Sequence, residues 1–321
     1  MFTFLKEGNI ITNKFFTFTL LICLILNTLI ISTSATSITF ANENANIYNE
    51  TMKQDLLCLL VAYPEFITDI ELNNGYVYII MKSGKKICYD DKKVKNLQEK
   101  LSNPDLEDTL KQIYPLSLVS GIGEDDFDPG RFRSYRLLSE VYGTSKQDIE
   151  SKLTKVKVVY SNYQFNKSNN AAKSLQSVMT ELVPLLKQNQ NVRKCLLPCS
   201  GTFNYRVISG TNRLSPHSYG IAIDLSSDKR DYWKWSSKEA GEKRLASYSN
   251  ELVKVFENNN FVWGGKWSHF DILHFEYRPE IILKARYFGV PTGSKKTWYE
   301  GIPLQQLSIR NAINKINVLI K

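Results

Sequence analysis

Two short apolar stretches constrain the chain more than any other feature. Ile221-Ala222-Ile223-Asp224-Leu225 and Leu273-His274-Phe275-Glu276-Tyr277 both read as buried strands, and each carries ionisable groups inside an apolar run. Successive side chains of a strand point to opposite faces. Ala222 and Asp224 therefore share one face, with Ile221 and Ile223 packing on the other, and His274 and Glu276 share a face in the same way. Residues 245–258 between them read as a helix. Two strands that each deliver a polar residue from an apolar stretch make a rigid base for a metal site.

The histidines strengthen this expectation. The chain has three in 321 residues, His217, His269 and His274, and two stand at ligand-like intervals from carboxylates: His217-x6-Asp224 and Asp271-x2-His274. Imidazole is the commonest neutral metal ligand and the usual base near neutral pH. The set His217, Asp224 and His274 leaves one corner of a tetrahedron open, the arrangement of a catalytic zinc. Asp271 is expected close to the metal without ligating it, where it can take a proton from water and pass it to a leaving amine. Glu276 is expected behind His274, fixing it through a hydrogen bond. His269 has no carboxylate at a ligand-like interval and is expected behind the ligands or at the surface.

Around this segment the pattern is α+β: a small antiparallel sheet carrying the ligands, helices packed against it, and a small N-terminal meander with helices. Ile70-Glu71-Leu72 leads into the hairpin turn Asn73-Asn74-Gly75, followed by strands at residues 76–80 and 86–89. Helices are expected at 92–102 and 105–113, the second capped by Asn103 with Pro104 in its first turn. Residues 120–130 are a loop by composition. Its acidic residues Glu124, Asp125, Asp126 and Asp128 lack the spacing of a calcium loop and read as a solvated turn. A helix at 131–142, a strand at 155–160 and an amphipathic helix at 171–187 follow. The expected division is 1–41 as signal peptide or anchor, 42–120 as a small region of unknown role, 121–292 as the metal-bearing domain and 293–321 as a partly helical tail.

The start of the chain indicates export. Lys6 and Lys14 precede an apolar run at residues 15–31, and small residues lead to a cleavage site after Ala41. If the segment is not cleaved, it is the chain's one membrane contact. Ile22 before Cys23 argues against a lipoprotein signal. Forty-one Lys+Arg against 32 Asp+Glu give a net charge of +9, which suits an anionic cell-wall surface. The basic residues form no block interleaved with aromatics, so nucleic acid is not an expected partner. Cys58, Cys88, Cys195 and Cys199 lie beyond the signal, and their pairing is open.

Residues 204–224, Asn-Tyr-Arg-Val-Ile-Ser-Gly-Thr-Asn-Arg-Leu-Ser-Pro-His-Ser-Tyr-Gly-Ile-Ala-Ile-Asp, resemble the Ser-x-His-x-x-Gly-x-Ala-x-Asp signature of the zinc D-alanyl-D-alanine carboxypeptidases. That family also includes L-alanyl-D-glutamate endopeptidases. Residues 271–276, Asp-Ile-Leu-His-Phe-Glu, resemble its second signature, and the likeness spans roughly residues 125–290. The resemblance implies Zn2+ on His217, Asp224 and His274, acid–base work by Asp271, and a peptidoglycan stem peptide as substrate. It also implies that Arg206 binds substrate and steadies the oxyanion, that Ser215 touches substrate or orients a ligand, and that Tyr219 contacts substrate, with Tyr219 and Gly220 shaping the turn. Many carboxypeptidases of the family carry Glu at the base position; Asp271 is nearer the endopeptidase branch. A wall-binding protein that keeps the metal without turnover is the rival from another class, and an intact Asp271 speaks against it.

Overall fold

The strands that carry Asp224 and His274 pair as their alternation requires. The computed structural model describes residues 43–119, 121–289 and 296–320; the expected leader at 1–41 lies outside them. Residues 43–51 are helical, and the unit that follows them, from Met52 onward, carries everything below. Among the described residues no helix is long and apolar enough to cross a membrane.

In that unit, residues 52–62 form α1. It precedes the meander β1 (Ile67–Asn73), β2 (Tyr76–Met81) and β3 (Lys86–Cys88), with Asn74 and Gly75 at positive φ in the hairpin turn. Short helices α2 (Leu97–Ser102) and α3 (Leu106–Leu110) follow, then α4 (Tyr135–Tyr142) and α5 (Lys146–Ser151). A two-stranded hairpin, β4 (Leu153–Val158) and β5 (Ser161–Asn166), leads to α6 (Ala171–Leu185) and α7 (Gln190–Leu196). The remaining elements are β6 (Ala222–Asp224), α8 (Lys238–Ser247), α9 (Asn250–Asn258), β7 (Phe261–Trp263), β8 (His274–Tyr277), α10 (Pro279–Phe288) and α11 (Leu307–Leu319). The fold is α+β.

The third sheet, in the order β6-β8-β7, positions the site. Asp224 pairs with His274, Ile223 with Phe275 and Ala222 with Glu276 across an antiparallel ladder. Directly opposed residues project to the same face, so Asp224 and His274 emerge together. On the other face Phe275 stacks on Phe256 of α9, with ring centroids 4.1 Å apart, and lies near Trp263 and Tyr248. Phe275 is fully buried, worth roughly 2–3 kcal/mol for such a side chain. That aromatic layer fixes the register of β8, because a one-residue slip would send His274 into it.

Buried contacts join the N-terminal elements to the rest. Asp55 of α1 pairs with Lys284 of α10 at 2.6 Å and accepts from Tyr89 Oη, while Tyr63 Oη donates to Glu280 at 2.6 Å. Arg213 donates to the carbonyl of Leu101 at the end of α2. The boundary expected near residue 120 therefore marks a loop, not a break between cores. From the expected tail, α11 packs on β1 and buries Ile309, Ile313 and Ile316.

Local signals explain where elements differ from expectation. The cap of α3 is Asp105, whose side chain accepts from Asp108 N, while Asn103 ends α2. The helix expected at 131–142 starts at Tyr135, because Ser134 caps it and accepts from Leu137 N. The helix expected at 245–258 is two, separated at Tyr248 and recapped by Ser249. The strand expected at 155–160 is one arm of the β4–β5 hairpin. The four cysteines at positions 58, 88, 195 and 199 are free thiols.

Candidate active site

His217 sits on a 3-10 turn, Pro216–Tyr219, whose start is capped by Ser215 Oγ. Pro216 at the first position has its φ preset for the turn, and Gly220 ends it at φ +67°. A Cβ at Gly220 would lie 2.7 Å from Leu153 Cδ2 and 3.2 Å from Asn166 N. The turn therefore needs glycine twice over, for backbone freedom and for space.

Three donor atoms converge from this turn and the two strands. His217 Nε2 and His274 Nδ1 are 3.2 Å apart, and Asp224 Oδ1 lies 3.2 Å from the first and 2.9 Å from the second. Ligand atoms of a tetrahedral zinc with bonds of about 2.0–2.1 Å stand roughly 3.3 Å apart. The triangle thus has the size of one face of such a tetrahedron, and the group could hold a metal ion. Two other acidic groupings, Asp90/Asp91/Asp105 and Asp105/Glu107/Asp108, do not compare. The Lys95 ammonium fills them, at 3.0, 2.6 and 2.7 Å from Asp91, Asp105 and Asp108.

A hydrogen bond behind one donor and an acidic neighbour behind another turn the right nitrogens inward. His217 Nδ1 meets the carbonyl of Thr202 at 2.5 Å. A carbonyl only accepts, so Nδ1 carries the proton and Nε2 keeps its lone pair for the site. His274 Nε2 faces Glu276 Oε2 at 3.7 Å, leaving Nδ1 toward Asp224. Glu276 is buried completely. Arg133 Nε reaches both its oxygens at 3.0 and 2.9 Å, and Arg278 Nη1 lies 3.3 Å away.

The electrostatics favour a cation among these groups. Burial works against ionisation of Asp224, yet the imidazoles of His217 and His274 beside it hold its carboxyl far below the usual range. Burial also opposes charge on His274, but Asp224 and Glu276 outweigh it and raise the imidazole to about 10. Without a metal, the site binds a proton where a cation would sit.

Asp271 lies at the edge of the same cavity, which has a volume of about 350 Å³. Its N–H donates to Gly264 O at 3.0 Å, its carbonyl accepts from His274 N at 3.1 Å, and it bridges to Tyr232. A Cβ on Gly264 would come within 2.5 Å of the Asp271 carbonyl, so the close approach depends on that glycine. The Asp271 carboxylate makes no hydrogen bond or ion pair among the described residues. Burial raises it to about 6, helped by the charge of Asp224 and opposed by His274.

The remaining expected residues divide. Arg206 lines the cavity with an exposed side chain that has no ion-pair partner among the described residues. Ser215 lines it too, while capping the His217 turn. Tyr219, expected to contact substrate, does not line the cavity. It is buried, with its hydroxyl 3.3 Å from Ser139 Oγ, because the 3-10 turn that aims His217 at the cavity aims Tyr219 at the core. His269 lines the cavity and has a carboxylate after all, from far away in sequence. Its Nδ1 is 2.7 Å from Asp128 Oδ2, and its ring stands edge-on to Trp233. Asp128, grouped by sequence with a solvated turn, is fully buried and also accepts from Arg131 at 2.7 Å.

Residues 209–277 match the family model described as D-alanyl-D-alanine carboxypeptidase. The matched segment contains all three donors, Asp271 and Glu276. No curated protein and no solved structure matches the chain. The match supports a peptidase and, with the donor triangle, a metal-binding one. Sequence inspection missed Thr202, Asp128, Arg131 and Arg133. The signal for the last two was present: Ser134 is a strong cap residue, which puts both arginines outside the helix.

Proposed function

We propose that this protein is a zinc-dependent peptidase of the cell wall that hydrolyses an amide bond in the peptidoglycan stem peptide, in the manner of a D-alanyl-D-alanine carboxypeptidase. The observation that carries this reading is the triangle of His217 Nε2, Asp224 Oδ1 and His274 Nδ1, opening on a cavity that also holds the unpaired carboxylate of Asp271. A structural metal needs no such carboxylate and is closed by a fourth ligand. The family match over residues 209–277 supports a stem peptide as the substrate.

His217, Asp224 and His274 would hold the ion. When bound, zinc supplies a Lewis acid for the peptide carbonyl and makes water acidic enough to attack near neutral pH. Asp271 takes the proton of the attacking water and delivers it to the departing amine. A carboxyl raised to about 6 is suited to both halves of that task. Arg206 offers its free guanidinium to the substrate and to the charge developing on the carbonyl oxygen. Thr202 and Glu276 keep the imidazoles in the ligating tautomers. The apolar run at residues 15–31 supports export, and the net charge of +9 suits an anionic wall.

The test is zinc analysis of the purified protein together with mass spectrometry of digested muropeptides. Zinc should copurify, amines should be released, and His217→Ala should lose both. The fragment masses name the bond and separate carboxypeptidase from endopeptidase cleavage. Wild-type amine release by His217→Ala or by chelator-stripped protein would sink the proposal.

A further inference from the structure

A turn carrying three aromatic rings, one of them exposed, lines the cavity, and the peptidase chemistry does not use it. Tyr232, Trp233 and Trp235 all line the cavity, yet Trp235 is 81% exposed. Its ring packs edge-to-face against Tyr232 with centroids 5.0 Å apart, and its indole N–H has no partner among the described residues.

This turn is held firmly. Trp235 N and Ser236 N both donate to Tyr232 O, closing the loop on itself. Trp233 N bonds to Phe270 O, Ile272 N bonds to Asp231 O, and Tyr232 bridges to Asp271. Asp231, almost fully buried, pairs with Arg244 of α8 at 2.8 Å. The exposed ring is thus fastened to the segment that carries Asp271, on the lining of the same cavity. A rigid indole left in water at that place presents both an apolar face and a free hydrogen-bond donor.

We propose that Trp235, supported by Tyr232, is a saccharide subsite that stacks an N-acetylhexosamine ring of the glycan to which the stem peptide is attached. This rests on the peptidase reading above, with the cut near the glycan end of the stem. The C–H face of a pyranose carries slight positive charge and meets the negative face of an indole. The hydroxyl and acetamido groups at the sugar rim are acceptors for an N–H such as that of Trp235. Continuity with the cavity selects this occupant: when the bond cut lies near the glycan end of the stem, as in endopeptidase cleavage, a peptide held at the donor triangle brings its sugar to the rim that Trp235 lines.

The experiment uses the full protein and Trp235→Ala, a change at an exposed side chain. Binding of the N-acetylglucosamine tetrasaccharide is followed by calorimetry. Hydrolysis is compared between a stem peptide and the same peptide carrying its disaccharide. The wild type should bind the tetrasaccharide and favour the glycopeptide in kcat/KM by about tenfold, the scale of one aromatic contact. In Trp235→Ala the binding should disappear and the ratio of the two substrates should approach unity. Tetrasaccharide binding without amine release from either substrate would keep the subsite and refute the peptidase. A wild-type ratio near unity with no tetrasaccharide binding would overturn the subsite. Trp235-dependent binding to phosphatidylglycerol vesicles in place of the sugar would overturn it too.

Discussion

Asp224 and His274 face each other across β6 and β8, and their site atoms Oδ1 and Nδ1 stand 2.9 Å apart. A ladder pair on a twisted sheet fixes this distance through the backbone, so two of the three donors are placed before any metal arrives. The third, His217 Nε2, is brought to 3.2 Å from both by a turn capped at Ser215 and ended at Gly220. The binding energy of an ion is then not spent on ordering loops.

Glu276 holds this arrangement from behind, and Glu276→Gln tests it. The substitution leaves Arg133 and Arg278 buried without their shared anion. Breaking such a buried group costs about 3–5 kcal/mol, read as a lower urea midpoint. Zinc affinity should also fall by roughly 10–100-fold, because His274 loses the group that orients it. A variant of wild-type stability and affinity would show that Glu276 supports neither.

Gly220→Ala tests the turn. The new Cβ meets Leu153 and the backbone of Asn166, at a φ that L residues rarely adopt. The expected loss is about 1–3 kcal/mol, with weaker zinc binding because His217 must shift. Chemical denaturation and a zinc titration measure the two effects.

The Asp271 carboxyl of the metal-free protein should titrate near pH 6 in carboxyl-carbon NMR, above the usual 3.8. Its folded pKa is raised, so between those values the folded state holds more proton than the unfolded one. Metal-free stability therefore falls as pH rises through this window, and Asp271→Asn removes that share of the slope. Bound zinc favours the anion and should lower the midpoint. The rate should fall on the acid side as Asp271 becomes protonated. A midpoint near 4 in the metal-free protein would contradict the assigned burial.

Much of the site was legible because strand alternation is a local signal. Asp224, His274 and Glu276 could be placed on faces from neighbouring residues alone, and the register of β6 and β8 joined those faces. Asp128 and His269 were not legible as a pair, since 141 residues separate them and only the folded chain brings them within 2.7 Å. The burial of Tyr219 away from the cavity was not legible, because a signature stretch does not say which side of a 3-10 turn faces the cavity. The same limit applies to the N-terminal region. Its meander was readable from Asn74-Gly75 and its flanking strands, while its union with α10 rests on Asp55–Lys284 and Tyr63–Glu280, pairs more than 200 residues apart.

The central claim is that a metal on His217, Asp224 and His274 acts with Asp271 as proton carrier. Asp271→Asn tests it most directly, because asparagine keeps the shape and removes the base. Zinc content and stem-peptide hydrolysis are measured on the same preparation. The expected result is zinc content equal to wild type with kcat lowered by roughly 10²–10⁴. Wild-type turnover with zinc bound would contradict the role of Asp271, and loss of zinc would show that Asp271 belongs to the ligand set.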